Sequence, residues 1–169
     1  MVFKNKNISN IHDYVFGIEV GLDSNARKNR VGKIMEQTIR THLMYYQIKF
    51  KEQISCKKLP TALSDALGKD IKVFDFLIRT KKNTYLIETN FYNGGGSKLN
   101  EVSRAYMRTN EAIEQVDSYK FVWITDGAGW LSAKNKLQEA YNQIEHVYNL
   151  QTLDDFINRI RIEGVIDPE

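Results

Sequence analysis

Two acidic residues in the middle of the chain combine a setting and a spacing from which hydrolytic chemistry can be built. Asp75 sits inside residues 71–79 (IKVFDFLIR), a run so apolar that an unpaired carboxylate there would be costly. Glu88 sits inside residues 84–91 (TYLIETNF). Side chains two apart on a strand share a face, so Leu86, Glu88 and Asn90 point one way and Tyr85, Ile87 and Thr89 the other. A divalent metal between Asp75 and Glu88 would compensate both charges, with the Thr89 carbonyl and waters completing a hard oxygen shell suited to Mg2+. Such a cation polarises a phosphodiester and lowers the pKa of a bound water, so phosphodiester hydrolysis is a natural reaction for the pair. The competing reading leaves Asp75 at a strand end in water and pairs Glu88 with a lysine; spacing alone does not separate the two.

The elements that would position these acids are legible as periodicities. Residues 71–79 and 84–91 are β-rich runs joined by Thr80-Lys81-Lys82-Asn83, a connection of hairpin length, and are expected as adjacent antiparallel strands. Before them, Ile34, Met35, Thr38, Ile39, His42 and Leu43 recur at helical spacing and predict a helix over about 31–45, preceded by a polar loop at 23–30. Residues 45–54 alternate as a strand, and 60–69 read as loop or a short helical turn. After Asn93-Gly94-Gly95-Gly96, Leu99, Val102, Tyr106, Ile113 and Val116 predict a long helix whose N-terminus points back toward the hairpin. Residues 119–125 (YKFVWIT) form a continuous apolar run stopped by Asp126-Gly127, as expected for a central strand reached by a crossover. Helices over about 132–145 and 152–162 close the pattern, the second opening at Thr152 with Asp155 in the capping-box position. The order predicts an α/β fold with a mixed central sheet flanked by helices.

Composition sets the outer bounds. A chain of 169 residues, 42% hydrophobic and with 2 Pro and 10 Gly, is sized for one domain over 1–169. No apolar run is long enough for a membrane span or suited to a signal peptide, so a cytoplasmic protein is expected, and Cys56, the 1 cysteine, has no partner for a disulfide. The net charge of +3 hides an asymmetry: residues 1–110 hold 19 Lys/Arg against 10 Asp/Glu, and residues 111–169 hold 5 against 11. A basic region of this kind suits a polyanion, although a solvated charged face is the commoner cause.

Candidate contacts to such a polyanion fall in two groups. Asn25, Arg27, Lys28 and Arg30 combine cations with an amide, residue types that read guanine and adenine edges in the major groove. Ser97, Asn100, Arg104 and Arg108 follow the glycine-rich turn, whose exposed N–H groups would seat a phosphate. A nucleotide cofactor is not expected there, because Ser97 precedes Lys98 and Leu99 follows it where a P-loop needs Gly and Ser/Thr. His12, His42 and His146 lack spaced partners and read as structural. Tyr92, Tyr106 and Trp130 read as core before cleft.

The arrangement D-x(12)-E-x-N formed by Asp75, Glu88 and Asn90 resembles the PD-(D/E)xK nuclease core. The run LIETNFYNGGGSKLNE (86–101), with DYVFGIEVGLDSNARKNRVGKIME (13–36) and FVWITDGAGW (121–130), closely resembles the DpnII/MboI family of type II restriction endonucleases. That resemblance implies cleavage of duplex DNA at unmethylated GATC sites with Mg2+, by a homodimer matched to the palindrome, alongside a DNA methyltransferase that protects host sites. It implies Asp75 and Glu88 as metal-binding carboxylates and puts Asn90 where the general motif has lysine. Lys98 is then the nominated cation for the transition-state charge, or else a phosphate anchor. Glu36, on the edge of the first helix's buried stripe, is a third candidate acid, or else a surface partner of Arg40. The family usually carries a further N-terminal region before the position of Met1. Rival expectations are a DNA-binding module without turnover and a repair or junction nuclease with the same metal core.

Overall fold

The computed structural model describes residues 24–68 and 72–168, with residues 24–31 as backbone alone. Helix α1 runs over Ser24–Tyr45. Met35, Ile39 and Leu43 recur every fourth residue and are buried along one stripe. The helix starts at Ser24 and not near 31, so the expected loop at 23–30 is its first two turns. No proline or glycine interrupts that stretch and Arg and Lys are good helix formers; apolar periodicity marks only the part of a helix that a core covers.

Strand β1 spans Lys51–Ser55, shorter than the predicted 45–54. Tyr46, Ile48 and Phe50 keep the alternation alive through the preceding turn because all three pack on the core, Ile48 N donating to Leu43 O at 2.9 Å. A 3-10 turn over Cys56–Lys58 leads to α2, Thr61–Leu67, which starts after Pro60 and stops at Gly68 with φ +86°.

Strands β2 (Val73–Thr80) and β3 (Thr84–Phe91) form the expected antiparallel hairpin, paired from Arg79↔Thr84 to Phe76↔Ile87. Helix α3 (Ser97–Glu114) crosses over to β4 (Tyr119–Asp126), which runs parallel to β3 from Thr84↔Tyr119 to Phe91↔Asp126. Phe121 to Thr125 are all buried, the burial pattern of a parallel strand covered on both faces. A 3-10 turn (Ala128–Ser132), α4 (Lys134–Gln143), β5 (Val147–Tyr148), α5 (Leu153–Glu163) and β6 (Val165–Ile166) complete the chain. The strands form one mixed sheet in the order β1-β2-β3-β4-β5, with β6 antiparallel to β2 beyond the end of β1. The capping box at Thr152 does not form: its hydroxyl accepts from Asn149 N at 3.0 Å, within the preceding turn, and makes no side-chain cap bond to α5.

Helices lie on both faces of the sheet. Met35, Ile39 and Leu43 of α1 and Phe156, Ile157 and Ile160 of α5 pack on Phe76, Ile78, Tyr85, Ile87, Val122 and Ile124. Leu99, Met107 and Ile113 of α3 and Ala140 of α4 pack on Leu77, Leu86, Phe121 and Trp123 opposite. Burying these side chains, at roughly 1.5–3 kcal/mol each, is the main term holding helices to sheet. No described helix is long and apolar enough to cross a membrane.

Candidate active site

The hairpin sets Asp75 and Glu88 at facing positions, but not as two side chains standing side by side on a flat strand pair. The β2–β3 ladder ends at Phe76↔Ile87, so the residues next in line are Asp75 and Glu88. Phe74 and Phe76, which flank Asp75, pack in opposite layers, so the alternation of β2 breaks at Asp75. Its carboxylate turns toward β3, where Oδ2 accepts from Thr89 N at 2.7 Å and Thr89 Oγ1 at 2.9 Å. The side chain thus takes over a backbone donor where the ladder stops.

The facing position on β1 is strained. Glu52 pairs with Phe76 and Ile54 with Phe74, which sets Gln53 against Asp75, and Gln53 has φ +50°, a left-handed backbone rare for a non-glycine residue within a strand. From there Gln53 hydrogen-bonds the Asp75 carboxylate, and its Nε2 donates to Glu36 Oε2 of α1 at 3.4 Å. Glu36 therefore reaches Asp75 through Gln53. Arg40, the alternative partner for Glu36, is engaged with Glu52 at 2.7 Å.

Glu88 lies on the α3 side of β3, with its side chain 12% exposed. Its Oε2 accepts from the Tyr106 hydroxyl at 3.2 Å, and its Oε1 is 3.7 Å from Lys72 Nζ. Asn90 is co-facial with Glu88, as its spacing predicts, and its carboxamide is engaged at both ends. Its Nδ2 donates to the Tyr106 hydroxyl at 3.0 Å and its Oδ1 accepts from Trp123 Nε1 at 2.7 Å. Tyr106, which reads as core in the sequence, thus binds both motif residues of β3, whereas Trp130 does serve the core, stacked edge-on against Tyr92 and Trp123.

Electrostatics mark the cluster as costly without a cation. Burial pushes the Glu88 carboxyl up to about 7; Lys72 opposes the rise and Asp75 adds to it. Burial also raises Asp75 above the usual carboxylate range, against the pull of its bonds from Thr89. Glu36 is raised by burial and then by the Asp75 charge, and burial lowers Lys72. The donors are of the kind a hard divalent ion takes: two largely buried carboxylates at facing positions, each disfavoured as an anion and each acting electrostatically on its surroundings. Among the described residues no group of three His, Cys, Asp or Glu side chains forms a metal cluster.

The predicted DNA contacts separate by element. Ser97, Lys98, Arg104 and Arg108 are exposed and Asn100 half-exposed. Ser97, Arg104 and Arg108 share one exposed face of α3, away from its buried Leu99, and the charge of Arg104 acts on Glu139 of α4. Asn25, Arg27, Lys28 and Arg30 lie on the helical start of α1, and their side chains lie outside the described residues, as do His12 and the whole stretch 13–23 of the family-like run. His146 is buried, as expected of a structural histidine, and His42 is a rim residue 2.7 Å from Asp154.

The rim beyond the acids is tightly built. Tyr92 N donates to Asp126 O at 2.9 Å and Gly129 N to Tyr92 O at 2.7 Å. Gly127 has φ +114° and no room for a Cβ against the Tyr92 carbonyl; a Cβ on Gly129 would strike the carbonyls of Gly94 and Tyr92. These glycines let the loops after β3 and β4 interlock beside the start of α3. The sequence did not single out Gln53 or Lys72; an unexplained polar residue opposite an acid and a lysine abutting an apolar strand were the available signals.

The chain is similar to known restriction enzymes. The family model described as DpnII restriction endonuclease matches residues 1–159. The type II restriction enzyme MboI of Moraxella bovis is 55% identical over 167 residues, which cover 98% of this chain and 58% of the relative. The type II restriction enzyme DpnII of Streptococcus pneumoniae is 39% identical over 165 residues, 90% of this chain and 57% of the relative. The type II restriction enzyme MjaIII of Methanocaldococcus jannaschii is 40% identical over 167 residues, 91% of this chain and 57% of the relative. The chain therefore spans little more than half the length of each of these relatives. No solved structure matches it. With the family model covering most of its length, the chain belongs to the DpnII restriction endonuclease family.

Proposed function

We propose that this chain is the nuclease portion of a type II restriction endonuclease that hydrolyses both strands of duplex DNA at unmethylated GATC sites with Mg2+. The observation that supports the reading is that Asp75 and Glu88 are the facing positions next in line where the β2–β3 ladder ends, both raised by burial, in a chain of this family. Asp75, Glu88 and the Thr89 carbonyl would hold the ion, which when bound polarises the scissile phosphate and acidifies a water. Gln53 holds Asp75 and Glu36 together, so Glu36 is placed to accept a hydrogen bond from water at the edge of the site. Asn90, engaged by Tyr106 and Trp123, positions Glu88 through their shared tyrosine and is not a base.

Lys98, Ser97, Asn100, Arg104 and Arg108 supply phosphate or base contacts from α3, and Asn25, Arg27, Lys28 and Arg30 from the start of α1. A twofold-symmetric target is met most simply by a C2 homodimer with one site per strand. A cytoplasmic setting with a partner methyltransferase completes the proposal. The test is incubation of the chain and its D75A variant with methylated and unmethylated GATC duplexes, with and without Mg2+. The reading predicts cutting of unmethylated duplex by the unaltered chain alone, and only with Mg2+. Equal cutting by both proteins refutes the site, cutting of branched DNA alone favours a junction nuclease, and metal-independent binding without cutting favours a DNA-binding module.

A further inference from the structure

A lysine outside the motif stands where the site is short of positive charge. Lys72, the residue before β2, has a side chain only 23% exposed, with Nζ 3.7 Å from Glu88 Oε1. It donates to Thr109 Oγ1 of α3 at 2.8 Å and lies over the rings of Tyr106, Phe74 and Phe121 at 4.9, 5.4 and 5.8 Å. Taking a strongly hydrated ammonium out of water costs solvation that the Glu88 ion pair, the Thr109 hydroxyl and the ring faces offset, and an apolar residue could fill a purely structural position without that cost. The other candidates do not take its place. Asn90 is neutral with both ends of its amide engaged, and Lys98, Arg104 and Arg108 are exposed on α3.

We propose that Lys72 is the catalytic cation of this site, its ammonium binding a non-bridging oxygen of the scissile phosphate and offsetting the charge gained as water attacks. The inference rests on the nuclease reading above. In that hydrolysis one P–O bond forms to water and one breaks to the leaving alkoxide. The water's proton passes to solvent, the alkoxide takes one from solvent, and Lys72 stays protonated throughout. The lysine thus serves from the entry of β2, held by α3, the charge that Asn90 does not bring from β3.

The test uses K72Q, which keeps a donor for Thr109 without the charge, K72R, which keeps the charge, and the double variant K72Q/N90K. Cleavage of a GATC duplex in Mg2+, affinity for that duplex in Ca2+ and thermal melting are measured on each. The expected result is that K72Q cuts about 100-fold slower or worse, the scale of losing one preorganised stabiliser of transition-state charge. Its Ca2+-supported affinity stays within about threefold, as for an interaction strongest in the transition state. K72R retains part of the rate and a lysine at position 90 restores part of it, which a structural role would not produce. K72Q cutting at the unaltered rate overturns the assignment. So does loss of cutting only in proportion to loss of folded protein, with K72R falling equally. If the unaltered chain cuts nothing, the nuclease reading fails and the inference with it; if it cuts and K72Q cuts equally, Lys72 alone is refuted.

Discussion

Glu88 should make the metal-free protein progressively less stable as the solution is made less acidic, and Mg2+ should reverse that loss. Burial lifts its carboxyl from 4.5 to about 7, so the folded chain prefers the protonated form. The stability this gives is fully present below pH 4.5, declines as pH rises and is gone above about 7. At about 1.4 kcal/mol per pH unit the displacement corresponds to ~3 kcal/mol. For a chain of this size that is roughly 6–12 °C in melting temperature. The assay is thermal melting between pH 4.5 and 8 in a chelator, comparing the unaltered chain with E88Q, which cannot ionise there. The unaltered chain should lose ground to E88Q through this window. Added Mg2+ should restore it most above pH 7, where the carboxylate is already ionised, and should do little for E88Q. Parallel melting curves for the two proteins in chelator, or equal stabilisation of both by Mg2+, would refute the reasoning.

Three other substitutions probe the site's scaffold. Y106F removes the hydroxyl that bonds Glu88 and Asn90; it should cost about 1 kcal/mol and move the pH midpoint of Mg2+ binding upward, because that bond favours the ionised acid. Titrating Mg2+ at several pH values reads the shift, and an unchanged or lower midpoint counts against it. Q53G releases the left-handed strain and should raise stability in chemical denaturation by about 1 kcal/mol while weakening Mg2+ binding, since Asp75 and Glu36 lose their shared donor; stability and affinity falling together would show that the strain is not stored there. G127A meets the Tyr92 carbonyl and an unfavourable φ together, and should destabilise by about 3 kcal/mol or more in the same measurement, whereas a change below about 1 kcal/mol would mean that the two loops part easily.

The hairpin, the crossover helix and the central strand were legible because apolar periodicity is strongest where an element is covered by core, as 119–126 and 99–113 are. The start of α1 was not, because its first turns lack the apolar stripe, and β1 was read too long because Tyr46 and Ile48 pack inward from a turn. Asp75, Glu88 and Asn90 were visible as types and spacing. What the pleat rule alone missed is the break at Asp75: it predicts Phe74 and Phe76 on one face, and they lie on two. Gln53 lies on β1, Tyr106 on α3 and Lys72 just before β2, and the local signals in their segments are weak. Only the pairing of β1 with β2 and the packing of α3 on the sheet bring them to the acids.

The interlocked glycines have a mechanical consequence. Because Gly127 and Gly129 fit against Tyr92 and Gly94 with no space for a side chain, the turn before α3 and the turn after β4 behave as one welded bracket. That bracket fixes the pitch at which α3, and so Tyr106 and Thr109, meets the sheet. The left-handed Gln53 lies away from this bracket, on β1 against Asp75.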